Sequence, residues 1–263
     1  MDAARRKIGV DNMRINVFGS VMLVGLSALL GASSGSGHSA LPALDLSDFV
    51  QQVENPYFPL RPGTVYFYTA QTPEGTETNQ VLVTSDRKTI LGVPTIVVHD
   101  RVFLNGELTE DTLDWYAPDR FGNVWYFGED SKSIHHGVVV STAGSWEAGK
   151  HNAMPGIVME AHPTVGDVYL QEFQAGVAED TARVVNLDRT LPMPAMFGLL
   201  NPLGMLGASA GHFEHVIKTR EWSPLEPSAV EWKYYAPGVG FVFGVEHDGS
   251  DVIVTRLTNA FGP

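Results

Sequence analysis

TIVVHDRVFLNGELTEDTLDWYA, residues 95–117, repeats with a period of two. Thr95-Ile96-Val97-Val98-His99, Arg101-Val102-Phe103-Leu104, Glu107-Leu108-Thr109 and Thr112-Leu113-Asp114-Trp115-Tyr116-Ala117 are rich in β-branched and aromatic side chains, which suits strands and not a 3.6-residue repeat. Asn105-Gly106 lies at the centre. Both residues accept positive φ, so the pair predicts a tight hairpin between antiparallel strands.

The pattern extends outward in both directions. Upstream, Val65-Tyr66-Phe67-Tyr68-Thr69 and Gln80-Val81-Leu82-Val83-Thr84 flank the turn Pro73-Glu74-Gly75. Downstream come Val124-Trp125-Tyr126-Phe127, residues 137–142, 168–173, 182–187, 214–219, 229–236, 241–246 and 252–257, with an Asp248-Gly249 turn before the last. Little sequence is left for the helical crossovers that parallel strands need. The expected fold is all-β: an antiparallel barrel or a strongly curved half-barrel sheet. Residues 63–263 form the expected single β domain. Residues 41–62 are an extended lead-in, proline-rich from Asn55 to Gly63, with one short helix expected near residues 49–53, capped by Asp45 or Ser47.

Composition narrows the chemistry. The chain has 263 residues, no cysteine and a formal charge of −13. Disulfides, thiolate metal sites and a cysteine nucleophile are excluded. Acids far outnumber bases, which argues against nucleic acid as a partner. Residues 1–40 hold Arg5, Arg6, Lys7 and Arg14 against Asp2 and Asp11, so the remainder carries −15. Those cations precede an uncharged apolar run at residues 17–30, followed by small residues from Gly31 to Gly37. That is the layout of a cleaved secretory signal, and 14 residues fall short of the about 20 that span a bilayer. A soluble exported protein is expected, with no stable membrane insertion after cleavage. An uncleaved anchor is the competing reading. Gly31-Ala32-Ser33-Ser34-Gly35 matches the nucleophile-elbow pattern but lies in the signal tail, without the strand and helix that motif needs.

Candidate chemistry rests on carboxylates, histidines and aromatic rings. Glu160 and His162 are two residues apart, which on a strand places them on one face. With His151 as a third ligand they make the best candidate zinc site, although no spacing forces it and no cofactor is expected. Asp114, Glu129, Glu147 and Glu172 each adjoin aromatic residues. A carboxylate held against rings acquires a raised pKa and suits acid–base chemistry, with Glu172 and His162 as the candidate catalytic pair. The plainer reading is alternation, with each ring turned inward and the acid beside it facing water. Glu231, Lys233 and Tyr235 share one strand face, and Val230, Trp232 and Tyr234 the other. The segment 191–211, LPMPAMFGLLNPLGMLGASAG, is uncharged and fits neither strand nor helix. It is a plug for a barrel end, a lid over a lipophilic pocket or a partner-facing patch. The expected ligand-lining residues are Trp115, Trp125, Trp146, Trp232, Tyr234, Met193, Met196 and Phe197, since Trp and Tyr join apolar area to one polar handle and Met adapts its shape.

Several stretches together resemble a family of exported, mostly uncharacterised bacterial β-rich proteins, many of them lipoproteins. They are Asn55-Pro56-Tyr57-Phe58-Pro59-Leu60, Asp114-Trp115-Tyr116-Ala117, Gly122-Asn123-Val124-Trp125-Tyr126-Phe127-Gly128-Glu129, Gly144-Ser145-Trp146-Glu147-Ala148-Gly149 and Lys233-Tyr234-Tyr235-Ala236-Pro237-Gly238-Val239-Gly240. The resemblance implies export and a curved β architecture, and no activity. Two departures stand out. Ala32 occupies the position after Leu29-Leu30-Gly31 where a lipidated cysteine is expected, and residues 191–211 exceed the family's short turn. The expected function is binding of a small lipophilic or aromatic molecule in a β-barrel pocket. The alternatives are an exported hydrolase or lyase using pocket carboxylates with histidine, and a structural envelope protein without a ligand.

Overall fold

A computed structural model of the chain describes residues 44–51, 55–192, 208–209 and 211–262. The proposed signal segment and most of 191–211, including Met193, Met196 and Phe197, lie outside the described residues. The described strands form a single antiparallel sheet of 16 members. They are β1 (Val65–Thr72), β2 (Gly75–Ile90), β3 (Val93–Leu104), β4 (Glu107–Pro118), β5 (Val124–His135), β6 (Val138–Ser141), β7 (Trp146–Glu147), β8 (Met154–Met159), β9 (Val168–Leu170), β10 (Glu172–Phe173), β11 (Thr181–Pro192), β12 (Ala208–Ser209), β13 (His212–Trp222), β14 (Ala229–Ala236), β15 (Gly240–Asp248) and β16 (Asp251–Phe261).

Their order around the sheet is β10-β8-β5-β4-β3-β2-β1-β16-β15-β14-β13-β11-β9, with β6 and β7 on β5 and β12 on β13. The first and last members of that order, β10 and β9, are neighbours in sequence. The stretch 168–173, expected as one strand, is split at Gln171. Its first part pairs with β11 and its second with β8, so one continuous segment ties the two edges of the sheet together. The result is a nearly closed barrel. Gly156 of β8 permits this closure: a Cβ there would lie 2.3 Å from the carbonyl carbon of Gln171. Closure removes the open edges on which a curved sheet would otherwise aggregate.

The hairpin signals hold where they were clearest. Asn105 and Gly106 have φ of 51° and 86° and connect β3 to β4. Gly249 turns between β15 and β16 with φ 56°. The strands are longer than their apolar cores suggested. β2 runs for 16 residues because a bulge between Val83 and Arg87 lets it bend with the barrel wall. The helix expected near residues 49–53 is not formed at residues 49–51, and 52–53 lie outside the described residues; the helical turn present is a 3-10 turn, Leu46–Asp48, capped by Asp45, whose Oδ1 accepts from Ser47 N at 2.9 Å. Phe49 is drawn out of any helix because its ring packs edge-on against Trp125 and Phe127, at 5.8 and 5.0 Å.

Along its axis the interior changes character. One end is apolar, with Tyr66, Tyr68, Val81, Val83, Val98, Tyr116, Phe241 and Leu257 buried there. The lead-in closes this end. Phe58 packs on Tyr116 at 5.2 Å, and Asn55 locks the segment by donating from Nδ2 to the carbonyls of Gly122 and Glu160. Burying these aromatic and branched side chains stabilises the fold by about 1.5–3 kcal/mol each. Further along the same strands the inward positions turn acidic. Among the described residues no helix is long and apolar enough to cross a membrane.

Candidate functional site

The polar half of the barrel interior is assembled by alternation. On β4 the inward residues are Glu110, Thr112, Asp114 and Tyr116; on β2 they are Glu77, Asn79, Val81 and Val83; β3 contributes Asp100. Cross-strand register sets Asp114 opposite Glu129 of β5, and Asp100 opposite Thr112. Across the barrel, Glu231 of β14 lies between Glu221 of β13 and Glu246 of β15. Asp180 and Glu172 complete the set near the closure.

The two walls treat their acids differently. On β13–β15, like charges directly opposite would repel, but Lys233 is inserted among them. Its Nζ lies 3.1 Å from Glu221 Oε2 and 3.3 Å from Glu231 Oε2. Glu221 Oε1 also accepts from the hydroxyls of Thr219 and Tyr235, at 2.6 and 3.1 Å. Lys233 is the only Lys or Arg side chain classed as buried among the described residues. Desolvation pulls its pKa down, but Glu221, Glu231 and Asp180 outweigh that and hold it above the usual lysine value.

On the β2–β5 wall no Lys or Arg is buried among the described residues. Asp100 is 1% exposed, and neither carboxyl oxygen has a hydrogen-bond partner. Burial, then Asp114 and Glu110, push its pKa well up; the Asn79 amide beside it works against that rise without completing a hydrogen bond. Asp114 accepts from Tyr126 OH at 2.6 Å through Oδ1, while Oδ2 is unpartnered. Burial raises Asp114 to about 7 against the pull of that hydrogen bond. Glu129 is also raised well above its usual value, by burial and then by Asp114 and Glu172. Burial and mutual repulsion bias such a set toward its protonated forms, since ionised carboxylates share a low-dielectric interior at a high cost.

Trp146 is the predicted ligand-lining residue that reaches this interior. Its indole Nε1 donates to Glu172 Oε2 at 3.1 Å and its ring stands edge-on to Tyr126, which stacks on Tyr116 at 4.8 Å. The other candidates are dispersed. Trp115 alternates outward from Asp114 and Tyr116, and its ring is covered by Lys88 Nζ at 3.1 Å. Trp125 donates to Asp119 Oδ2 at the apolar end. Trp232 and Tyr234 are half-buried on the outer face, with Lys218 Nζ 5.4 and 5.2 Å from their rings.

The catalytic and zinc groupings are not assembled either. Glu172 is buried and bonded to Trp146, whereas His162 is exposed beyond the end of β8. His151 is exposed in a turn with φ 50°. β8 ends at Met159, so the shared-face argument for Glu160 and His162 does not apply. Among the described residues no three His, Asp or Glu side chains are grouped to hold a metal.

Ring inside and acid outside holds at Trp146-Glu147, where Glu147 pairs with Lys88 and Lys150, and is reversed at Asp114-Trp115. At 114–115 it is the acid that faces inward and the ring that faces out. Asp100, Glu110, Glu77, Asn79 and Thr255 were not singled out from the sequence. The available signal was the spacing Glu110-x-Thr112-x-Asp114-x-Tyr116, the same kind of face correctly recognised at Glu231, Lys233 and Tyr235.

No protein-family model and no curated protein sequence matches the chain. Two solved structures are similar in shape. One is a protein described as exported, with a YmcC-like fold, from Bacteroides fragilis NCTC 9343; it is 14% identical, covers 78% of this chain and 98% of its own, and has a TM-score of 0.41. The other is described as a lipoprotein from Parabacteroides distasonis ATCC 8503, at 12% identity, 80% and 100% coverage and a TM-score of 0.41. At that similarity neither transfers an activity to this chain.

Proposed function

We propose that the protein is an exported β-barrel that binds a small molecule in the polar half of its interior, against Trp146 and the Tyr116–Tyr126 stack. One observation carries this reading: inward polar atoms that have no partner. They are both amide atoms of Asn79, both oxygens of Asp100, Asp114 Oδ2, Glu231 Oε1 and Thr255 Oγ1. A buried polar group without a partner costs about 1–3 kcal/mol, so a barrel that holds several of them is stabilised by whatever satisfies them. The acidic lining favours an aromatic or apolar body that carries polar groups over a purely lipophilic molecule. The hydrolase or lyase alternative set pocket carboxylates beside His151 or His162; both histidines are exposed while Glu172 is buried, which does not favour it.

Native mass spectrometry of the full chain, recovered from the compartment to which it is exported, tests the reading. The expected result is a small-molecule adduct that is lost in Asn79→Leu and Thr255→Val. A bare protein mass, together with an unchanged Trp146 environment in a screen of aromatic amines, acids and alcohols, would overturn it.

A further inference from the structure

One outer face reverses the charge balance of the chain. Acids outnumber bases by 30 to 17, and Lys88, Arg120, Lys132 and Lys150 each pair with a carboxylate. The outward positions of β11, β13 and β16 instead carry Arg183, Lys218, Arg220 and Arg256, and no acid is set against them by the register. Arg183 faces Val168 and Arg220. Arg220 also faces Trp232, Lys218 faces Asn186 and Tyr234, and Arg256 faces Phe243 and Thr69. The residues two places along each strand, on the same face, are not acidic either.

Rings hold three of these cations in place. Lys218 Nζ lies 5.4 and 5.2 Å from the rings of Trp232 and Tyr234, Arg220 Cζ 4.7 Å from Trp222, and Arg256 Cζ 5.5 Å from Phe243. Arg183 and Arg220 are like charges directly opposite one another, an arrangement that costs stability unless an anion lies between them.

We propose that this outer face of β11–β16 binds a linear acidic polysaccharide, whose carboxylates pair with Arg183, Lys218, Arg220 and Arg256. The face lies on the other side of the wall from the interior, and the proposal does not depend on the interior site. Its cations are spread out. Lys218 and Arg256 are three strands apart, which is about 14 Å at about 4.8 Å per strand. One small anion cannot meet both, whereas a chain with charges at intervals can. Each guanidinium can take a carboxylate through two parallel hydrogen bonds.

Other polyanions fit less well. Single-stranded nucleic acid stacks its bases on ring faces, and here the cations already lie over those faces. An extended peptide is held by a sheet edge, but β13, β14, β15 and β16 each have a strand on both sides. An anionic bilayer is a plane, and would also meet Asp188 and Asp251, exposed toward the two ends of the same strands. A single polymer chain lies along the cations alone.

Isothermal titration of the full chain with a polygalacturonate oligomer of about ten residues, in about 50 mM NaCl, tests the proposal. The comparisons are a neutral maltodextrin of equal length, poly-L-glutamate, oligothymidylate and phosphatidylglycerol vesicles. The galacturonate is expected to bind, and to bind more weakly as NaCl is raised to about 200 mM. Lys218→Gln, Arg220→Gln and Arg256→Gln should each weaken it by about two- to fivefold, and the three together by more than about tenfold. Arg183→Gln should weaken it without lowering the unfolding midpoint, because it also removes the like-charge pair. Arg87→Gln, at an exposed arginine on β2, should leave affinity unchanged. No binding of the galacturonate, equal binding of maltodextrin or tighter binding of any other polyanion would overturn the proposal. So would full affinity in the triple variant, a lowered midpoint in Arg183→Gln or an equal loss in Arg87→Gln.

Discussion

The β2–β5 wall and the β13–β15 wall line one barrel with the same kind of side chain and handle its charge in opposite ways. On β13–β15, Glu221 and Glu231 are bonded to Lys233. On β2–β5, Asp100 has no hydrogen-bond partner and Asp114 has a tyrosine hydroxyl on one oxygen only. The first wall holds a buried base among its acids, although burial still raises Glu231 to about 7 and Glu246 to about 8; on the second, burial raises the acids with no buried Lys or Arg among the described residues beside them. The difference shows that burying carboxylates is not one physical problem. Where the base is built in, folding supplies the cation. Where it is not, folding depends on protons.

The sharpest break is Lys233→Met. It leaves Glu221, Glu231 and Asp180 without their cation in a dry interior. Removing one partner of a buried pair costs about 3–5 kcal/mol. Denaturant unfolding at pH 8 is expected to show that loss, and at pH 5 a smaller one, because Glu231, held near 7, is then protonated. An equal loss at both pH values would mean that Lys233 acts only by packing.

Stability against pH tests the raised acids of both walls without any mutation. Asp114 is raised to about 7 and Glu246 to about 8, and Asp100 and Glu129 are also raised. Each binds its proton more tightly when folded than when unfolded. Stability is therefore fully present below the unfolded value, near 4, and is lost as pH rises through the folded value. Each group contributes a slope of about 1.4 kcal/mol per pH unit inside that window. Midpoints measured from pH 5 to pH 8.5 should fall steadily. A flat or rising curve would place the acids in water.

The hairpins and the all-β class were legible because they rest on local rules. Asn105-Gly106 needs only its own φ values, and the alternation of β4 needs only its own side chains. The barrel's closure was not legible: nothing between Val168 and Phe173 signals that the backbone changes partners at Gln171. The sense of the alternation was lost for a related reason. At Asp114-Trp115 the sequence presents an acid beside a ring, and ordinary burial preferences put the ring inside. Trp115 is nevertheless buried on the outer side, beneath Lys88, which comes from β2 and is paired to Glu147 of β7 at 2.8 Å. That cover is long-range, so the inward turn of the acid could be read only once the strands were assembled.

Trp146→Phe probes the seam where the two walls meet. Its indole is the donor that Glu172 keeps at the closure, and phenylalanine retains the ring against Tyr126 while removing the hydrogen bond. Leaving that carboxyl without its donor should cost about 1–3 kcal/mol. Glu172 is pushed up by burial and by Asp180, and Trp146 opposes this, so the variant should carry a still higher pKa there and go on losing stability to a higher pH. Unchanged stability and a loss that ends at the same pH would show that the closure does not depend on this bond.

The smallest effect is also the one of opposite sign. Asp100→Asn replaces an unpartnered carboxyl by an amide of nearly the same shape that never ionises. At pH 8 the wild-type group must either hold a proton against solution or bury a charge among Asp114, Glu110 and Glu77. The amide avoids both, so Asp100→Asn should gain about 1 kcal/mol at pH 8 and close to nothing at pH 5. The corresponding change on the other wall, Glu221→Gln, removes a partner of Lys233 and should destabilise at both pH values. If the two variants shifted stability in the same direction at pH 8, the walls would not differ in the way their partners indicate.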